Sequence, residues 1–371
     1  MRTKLIFMRC LMPLQKSSSA PSPPPSGVRL CRPSSQRIPS LFVKHTRCHQ
    51  AATRSCSSSS VIASSFEAPE PPKSHGHPVF PDIQFNHRDV ANSLDRNSDP
   101  NAVLVVSGAS RGIGLQFVSS LLERTRGKII ACCRSPATAD ELNNIAFQHP
   151  ERVEVLPLDL EDQSTIDALA LELTKKYQRI DTLFNVAGIL GDGTTTPGPE
   201  RSLASIERDW LEKSLAVNIV GPTMLVKALS PLMRTKGRRK ITIDDQNETK
   251  QLIVIPKTDR PPTLIVNLSA RVGSISDNQL GGWYSYRSSK SALNQMTRTM
   301  AHELKRQGSY IIALHPGTTN TDLSKPFQKN VQDGRLFPVE FTVEKLLDVV
   351  DSVVEENNGG FYDWAGKALP F

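Results

Sequence analysis

Two residues with complementary acid–base chemistry stand four positions apart in the stretch "YSYRSSK", residues 284–290. A helix would place Tyr286 and Lys290 on one face, with about 5–6 Å between their Cβ atoms. A free phenol has a pKa of about 10, but a cation about 4 Å away is worth about 4 kcal/mol at an effective dielectric of about 20, or roughly three pKa units. The pair could therefore transfer a proton at neutral pH if a second reactant binds beside it; otherwise it is an ordinary polar helix surface.

A glycine-rich turn provides a candidate site for that reactant. The stretch "SGASRGIG" places Gly108, Gly112 and Gly114 between an apolar run at 102–106 and a helical pattern at 112–125. Glycines let the backbone turn sharply, and a helix N-terminus directs free N–H groups and a positive dipole end at a diphosphate. In this position the glycines are typical of a dinucleotide-binding turn, although a plain connection between strand and helix is the alternative.

The rest of the chain alternates short apolar runs with helical patterns. We predict strands over 102–106, 128–133, 153–158, 180–184, 263–268 and 310–314, and helices near 112–125, 162–177, 203–233, 283–307 and 340–356. Alternation of this kind predicts an α/β fold, a single Rossmann-type doubly wound parallel sheet flanked by helices.

Three motifs in order give the chain a family resemblance. The glycine turn, the stretch "FNVAG" at 184–188 and the Tyr286-x-x-x-Lys290 pair together resemble the short-chain dehydrogenases/reductases over residues 102–371. The stretches "NLSARVGSISDN", "GGWYSYRSSKSALN" and "GGFYDWAGKALPF" resemble the C-factor-like carbonyl reductase branch more closely. The resemblance implies an NAD(P)-dependent oxidoreductase that reduces a small-molecule carbonyl to an alcohol, with Tyr286 as general acid/base.

The resemblance also implies partners for Tyr286. Lys290 would lower the pKa of the phenol and hold the ribose hydroxyls, and Asn218 in "AVNIVGP" would anchor a water molecule in a proton relay. The family usually has a serine three residues before Gly273, but Ala270 stands there. We assign the substrate-contacting role to Ser269 by its place at the strand end; the alternative is that Ala270 faces the substrate oxygen and the contact is lost or supplied by another group.

Residues expected to bind the cofactor follow from the matched motifs. Arg134 ends the second predicted strand without an acid beside it, and Arg111 lies in the glycine turn, so both favour the 2′-phosphate of NADPH over NADH. Thr321 is the candidate for the nicotinamide amide, with Thr318 or Thr319 as alternatives. The predicted cofactor-binding residues are Gly108, Ser110, Arg111, Gly112, Ile113, Gly114, Arg134, Asp159, Leu160, Asn185, Ala187, Gly188, Tyr286, Lys290, Pro316, Gly317 and Thr321.

The N-terminal part of the chain has a different composition. Residues 1–66 contain ten Lys or Arg and no Asp or Glu, and they are rich in Ser and Pro. We therefore predict a disordered organelle transit peptide over 1–70, of chloroplast type with mitochondrion as the alternative, and a linker over 71–100. The catalytic domain would span 101–371, with a charged surface insertion at 235–262 that could also bind a partner.

Composition argues against several other functions. Without the ten basic residues of the leader, 35 basic and 37 acidic residues remain, so no nucleic-acid surface is expected. No apolar run approaches the roughly 20 residues of a membrane span. Cys132 and Cys133 are neighbours in a predicted strand and would point to opposite faces, so we predict neither a disulfide nor a metal site.

Two other functions stay open at this point. One is a 3-oxoacyl-carrier-protein reductase, which shares the catalytic core but gains no support from a nearly neutral domain. The other is a weakly active NAD(P)-binding regulatory or scaffold protein, which Ala270 and the insertion at 235–262 favour. The family resemblance further implies a homodimer or homotetramer.

Overall fold

The computed structural model describes residues 80–85, 91–236, 238–244, 249–254 and 260–371. All of them belong to one unit, Pro71–Phe371. The predicted transit peptide at 1–70 lies outside the described residues.

The predicted parallel sheet is confirmed. The strands are β1 Val103–Ser107, β2 Lys128–Cys133, β3 Val153–Pro157, β4 Thr182–Asn185, β5 Arg238–Asp244, β6 Thr249–Val254, β7 Thr263–Leu268, β8 Ser309–His315, β9 Thr318–Thr319, β10 Leu336–Phe337 and β11 Phe361–Asp363. Seven of them form the central sheet in the order β3-β2-β1-β4-β7-β8-β11, with every neighbouring pair parallel. The chain changes direction across the sheet between β1 and β4, and ligands of such folds bind at the carboxyl ends of the strands at this point.

Helices cover both faces of the sheet. They are α1 Ala91–Ser98, α2 Gly112–Arg124, α3 Asp140–Gln148, α4 Gln163–Lys176, α5 Arg208–Leu215, α6 Gly221–Met233, α7 Tyr284–Leu304 and α8 Val339–Asp351. Buried apolar side chains of α2, α3 and α8 form one core layer, and those of α4, α6 and α7 form the other. A sheet buried on both faces explains why its strands read as continuous apolar runs.

Successive strand residues serve opposite core layers. Cys132 packs in the layer of α4, α6 and α7, whereas Cys133 packs in the layer of α2, α3 and α8. Both thiols are free and buried, and burial raises the pKa of each. The two cysteines therefore act as small core residues, as the alternation along a strand predicts.

The predicted helix at 203–233 is interrupted. A π-helical turn, Ala216–Val220, separates α5 from α6. The combined helical stretch Arg208–Met233 is long and apolar enough to cross a membrane by length and composition, which a buried core helix also satisfies. Leu225 and Leu229 on this stretch are fully buried against the sheet, so here it serves as a core helix.

The predicted linker at 71–100 needs correction, because part of it packs on the domain. Ile83 is buried, and its N–H donates to the carbonyl of Gly366 at 2.8 Å. The carboxylate of Asp82 accepts from the N–H of Ala368 at 2.8 Å. Near the end of α1, Arg96 lies 3.6 Å from a carboxylate oxygen of Asp351. These contacts tie the start of the described chain to its C-terminal end.

The insertion at 235–262 contains a β-hairpin. Strands β5 and β6 pair antiparallel with one irregularity between Thr242 and Asp244, and they form a sheet of their own. The hairpin lies between α6 and β7 in the chain, so the central sheet continues without it.

Candidate active site

The glycine turn joins β1 to α2 with a tightly packed backbone. Gly108 has a left-handed φ of +71°, and a Cβ there would lie 2.8 Å from the Cα of Ala187. A Cβ on Gly114 would overlap the carbonyl oxygen of Gly108. Arg111 is the N-cap residue of α2, yet its side chain makes no capping hydrogen bond. The first N–H groups of α2 therefore remain available to an external acceptor, as a bound diphosphate requires.

Polar side chains connect the carboxyl ends of three neighbouring strands. Ser107 lies opposite Asn185 in the β1–β4 register, and Asn185 lies opposite Asn267 in the β4–β7 register. The Nδ2 of Asn185 donates to the Oδ1 of Asn267 at 2.8 Å, and the Nδ2 of Asn267 donates to the Oγ1 of Thr297 at 2.8 Å. The Oδ1 of Asn185 is buried and has no hydrogen-bond partner among the described residues. An unsatisfied buried acceptor beside the glycine turn is expected where a ligand supplies the missing donor.

The segment after β4 places Gly188, which has no side chain, next to Asn218 and Lys290. A Cβ on Gly188 would lie 3.2 Å from the Oδ1 of Asn218 and 3.5 Å from the Nζ of Lys290. Ala187 packs with the core layer of α4, α6 and α7. A glycine here leaves room beside the ammonium group, which a side chain would take.

Asn218 lies in the π-helical turn between α5 and α6. Its Oδ1 accepts from the N–H of Ile189 at 2.8 Å, and its Nδ2 donates to the carbonyl of Ile189 at 2.9 Å. The same Nδ2 lies 3.1 Å from the Oγ of Ser289, which in turn donates to the carbonyl of Tyr286. π-Helical turns occur frequently at functional sites, and this one links the segment after β4 to the first turn of α7.

Tyr286 and Lys290 lie on α7 as the four-residue spacing predicts. The Nζ of Lys290 is 5.6 Å from the centre of the Tyr286 ring and donates to the carbonyl of Leu268 at 2.8 Å. Burial raises the pKa of Tyr286 and lowers the pKa of Lys290 to about 8. In the protein alone, burial therefore acts against the lowering of the phenol pKa that the four-residue spacing predicts.

Ser269 is buried, with its hydroxyl directed at α7. The Oγ of Ser269 donates to the Oδ1 of Asn294 at 2.6 Å, two turns beyond Tyr286 on the same helix. Ala270 is the N-cap residue of the short 3₁₀ turn Arg271–Gly273. A Cβ on Gly273 would lie 2.8 Å from the backbone of Lys290, so this turn packs closely on α7. The assignment of Ser269 stays a prediction, and its hydroxyl proton already has an acceptor.

The two arginines expected at the adenosine phosphate are both exposed. Arg134 directly follows β2 and has no hydrogen-bond or ion-pair partner among the described residues. Arg111 lies 3.9 Å from the carboxylate of Asp322, with 74% of its side chain exposed. Asp159 follows β3, where its Oδ1 accepts from the N–H of Glu161, and the adjacent Leu160 is buried.

The remaining predicted cofactor residues lie in the glycine turn and in the segment after β8. Gly317 has a φ of +74°, and a Cβ there would lie 2.8 Å from the ring of Phe337. The Cγ2 of Thr321 faces Gly112 at 3.4 Å from the position of a Cβ. The segment after Pro316 thus reaches back to the glycine turn. Ser110 and Ile113 lie in that turn and are half-buried.

The structure adds two residues that sequence reasoning missed. Trp283 precedes α7 in a left-handed conformation, and its ring contacts Phe327 with 5.1 Å between the ring centres. Glu200 is buried, and its carboxylate accepts hydrogen bonds from Ser285. The Gly-Gly-Trp stretch could have indicated a turn, but no pattern connects Glu200 with a helix that begins 84 positions later.

Together, the backbone and side chains fit a nicotinamide dinucleotide. The glycine turn leaves its N–H groups free, and Gly188 keeps space open beside Lys290. The buried Oδ1 of Asn185 lacks a donor among the described residues. These features lie at the carboxyl ends of β1 and β4, where the sheet topology places a ligand.

Comparison with known proteins supports this interpretation. The family model of the short chain dehydrogenases matches residues 102–243 and 250–332, which is more than half of the chain. The C-signal protein of Myxococcus xanthus is 27% identical over 192 residues, covering 52% of this chain and 93% of the relative.

Two solved structures are similar as well. The carbonyl reductase Sniffer of D. melanogaster and the NADPH-bound carbonyl reductase from chicken fatty liver are each 28% identical. Each comparison covers 73% of this chain and 99% of the other, with a TM-score of 0.59. The chain belongs to the short-chain dehydrogenase/reductase family of NAD(P)-dependent oxidoreductases, close to its carbonyl reductase and C-factor-like members.

Proposed function

We propose that the protein is an NADPH-dependent carbonyl reductase in which Tyr286 donates the proton. The proposal rests on three groups that lie close together at the carboxyl ends of the strands: the phenol of Tyr286, the ammonium of Lys290 and the backbone of Gly188. The ammonium of Lys290 lies 5.6 Å from the ring of Tyr286 and beside the open backbone of Gly188. A phenol can donate a proton to a carbonyl oxygen, and a nearby cation stabilises the phenolate that remains.

The chemistry of the residues suggests how each contributes. A bound nicotinamide dinucleotide would supply the hydride to the carbonyl carbon. A phenol is protonated at neutral pH, and burial raises the pKa of Tyr286 further, so Tyr286 can donate a proton to the carbonyl oxygen. Lys290 is then the nearby cation that stabilises the phenolate left behind, and Asn218 fixes the segment beside it through two hydrogen bonds to Ile189.

The preference for NADPH is a part of this proposal. Arg134 is exposed directly after β2 and has no partner among the described residues, so its guanidinium is free to bind a phosphate. The chicken liver relative was solved with NADPH bound, which supports the same choice.

Turnover of a carbonyl panel tests the proposed function. Protein lacking residues 1–70 would be assayed with NADPH and with NADH against small aldehydes, ketones and a 3-oxoacyl thioester. We expect reduction of aldehydes or ketones, with NADPH preferred by at least about tenfold in kcat/KM, equivalent to about 1.4 kcal/mol. Activity confined to the thioester would favour a 3-oxoacyl-carrier-protein reductase. Cofactor binding without turnover would favour a regulatory protein.

We further propose that residues 1–70 direct the protein to the chloroplast. The support is compositional: Ser, Pro and Arg are frequent and no acid occurs before Glu67. Fusion of this segment to a fluorescent protein tests the proposal, and a cytosolic or mitochondrial signal would contradict it.

A further inference from the structure

One buried carboxylate near the site has no role in the chemistry above. Glu200 lies in the loop between β4 and α5 and is only 3% exposed. The N–H of Ser285 donates to both of its carboxylate oxygens at 3.3 Å, and the Ser285 hydroxyl forms a shorter hydrogen bond to Oε1. The backbone carbonyl of Glu200 also accepts from the N–H of Trp283 at 2.5 Å. Glu200 thus holds the residues on both sides of Tyr284.

The start of α7 needs such an acceptor from outside. Its N-cap residue is Trp283, whose side chain makes no capping hydrogen bond and cannot accept one from a backbone N–H. The first N–H groups of a helix have no partner within the helix, and a negative group is favoured near them. A carboxylate in this buried place would be costly without the donors that Ser285 provides.

The hydrogen bonds of Glu200 act one residue away from Tyr286. Ser285 precedes Tyr286 in the chain, and the Trp283 ring lies edge-on to the Tyr286 ring with 6.3 Å between the centres. One turn further along, Lys290 is held independently by the carbonyl of Leu268. Loss of the Glu200 contacts would therefore move the phenol relative to the ammonium.

The loop that carries Glu200 is itself anchored near the cofactor segment. It includes Gly188 beside Lys290 and packs on Trp210 of α5, which is 5% exposed. A Cβ on Gly198 would lie 2.8 Å from the Nε1 of Trp210, so the loop lies directly against this ring. A single loop thus supplies both Gly188 beside Lys290 and the carboxylate that contacts the first turn of α7.

We propose that Glu200 is a positioning residue for Tyr286. It supplies the side-chain acceptor that Trp283 lacks at the start of α7 and fixes the phenol relative to the ammonium of Lys290. The inference rests on the proposed function, because it concerns Tyr286 as the proton donor.

Kinetics of four variants of the full-length protein test this inference. Glu200→Ala should lower kcat at least about tenfold, because small misplacements of reacting groups are costly, while the Kd for NADPH stays within about twofold. Glu200→Gln keeps an oxygen that accepts from Ser285 and should retain kcat within about threefold. Ser285→Ala should lower kcat several-fold. Glu207→Ala, an exposed glutamate beside the start of α5, is the matched control and should match the wild type.

Several outcomes would overturn the inference. A Glu200→Ala variant that melts at a lower temperature but keeps the wild-type kcat when folded would show a purely structural cap. If Glu200→Ala does not fold, an unchanged kcat in Ser285→Ala has the same consequence. No turnover by the wild type with any carbonyl overturns the proposed function together with this inference, whereas an active wild type and an equally active Glu200→Ala overturn this inference alone.

Discussion

At the scale of single residues, burial sets the properties of the catalytic pair. Lys290 is only 3% exposed, and the carbonyl of Leu268 is the acceptor found for its ammonium among the described residues. Desolvation favours the neutral forms of both groups, so the phenol keeps its proton while the ammonium holds its proton less firmly. A phenol that keeps its proton can act as a proton donor. The lowered pKa of Lys290 means that burying its ammonium lowers the stability of the folded protein.

Replacing Lys290 should therefore stabilise the fold while it removes activity. The depression of its pKa from 10.5 to about 8 corresponds to about 3 kcal/mol at neutral pH. Lys290→Met removes this cost but leaves the carbonyl of Leu268 without a donor, so a net gain of about 1–2 kcal/mol at pH 7 is expected. Urea denaturation of variant and wild type measures it.

The stability difference between Lys290→Met and the wild type should change with pH in a direction set by the lowered pKa of Lys290. Between pH 8 and 10.5 the unfolded chain binds more protons at residue 290 than the folded protein, so wild-type stability rises with pH relative to Lys290→Met. The difference in the free energy of unfolding between Lys290→Met and the wild type should therefore become smaller from pH 8 to pH 10.5. Lys175→Met, at an exposed position of α4, is the control. A variant less stable than the wild type at pH 7, or a gap that stays constant to pH 10.5, would contradict the account.

At the scale of elements, close backbone contacts join the parts of the site. The turn between β1 and α2 fits only because Gly108 and Gly114 lack side chains. The turn after β7 packs on α7 through Gly273, and the π-helical turn directs Asn218 toward Ile189. The site is therefore assembled by contacts between turns, and these turns tolerate little added volume.

A methyl group on Gly114 should disrupt the turn and weaken cofactor binding. Gly114→Ala would overlap the carbonyl oxygen of Gly108, so we expect a loss of about 1–3 kcal/mol in stability and at least about a tenfold rise in the Kd for NADPH. Gly334→Ala is the control for added volume: nothing lies within 4 Å of a Cβ there, and its left-handed φ of +75° should cost about 1 kcal/mol in stability while the Kd for NADPH stays unchanged. Fluorescence titration of NADPH measures the effect, and an unchanged Kd in Gly114→Ala would disprove the proposed role of the turn.

At the scale of the whole molecule, the two ends of the described chain stabilise each other. Phe80 lies edge-on to Tyr362 and to Phe371, with ring centres 6.5 and 6.1 Å apart. Asp82 and Ile83 pair with the segment around Gly366, which in turn runs beside the edge strand β11. The β11 edge of the central sheet is thus covered by both ends of the described part of the chain.

Removing the segment that precedes β1 should destabilise the domain. A chain that starts at residue 101 loses the burial of Ile83, worth roughly 2 kcal/mol, and the contacts of Asp82 and Arg96. We expect its melting temperature to fall by at least about 5 °C relative to a chain that starts at residue 79. Equal melting temperatures, measured by calorimetry, would show that the segment contributes nothing.

The sequence was sufficient to predict the sheet and the glycine turn that follows its first strand. Continuous apolar runs identified β2 and β7 to the residue, and the glycine turn identified the strand at the centre of the site. These elements are defined locally, by composition and by spacing, which is why single-sequence reasoning reaches them.

Elements that depend on distant contacts were not predictable. The strand β11 has only three residues, and its conformation follows from pairing with β8. The role of Glu200 depends on Ser285 across 85 positions, and the raised pKa of Tyr286 depends on how the folded protein excludes water. Tertiary burial, which periodicity does not contain, determines each of these features.

The central claim is that the hydroxyl of Tyr286 donates the proton in carbonyl reduction. Tyr286→Phe removes that hydroxyl and keeps the ring that contacts Trp283, so the fold and the Kd for NADPH should stay close to the wild type. Single-turnover oxidation of NADPH with a carbonyl that the wild type reduces measures the claim most directly. We predict a loss of about 10²–10⁴-fold in rate. A Tyr286→Phe rate equal to that of the wild type would contradict the account.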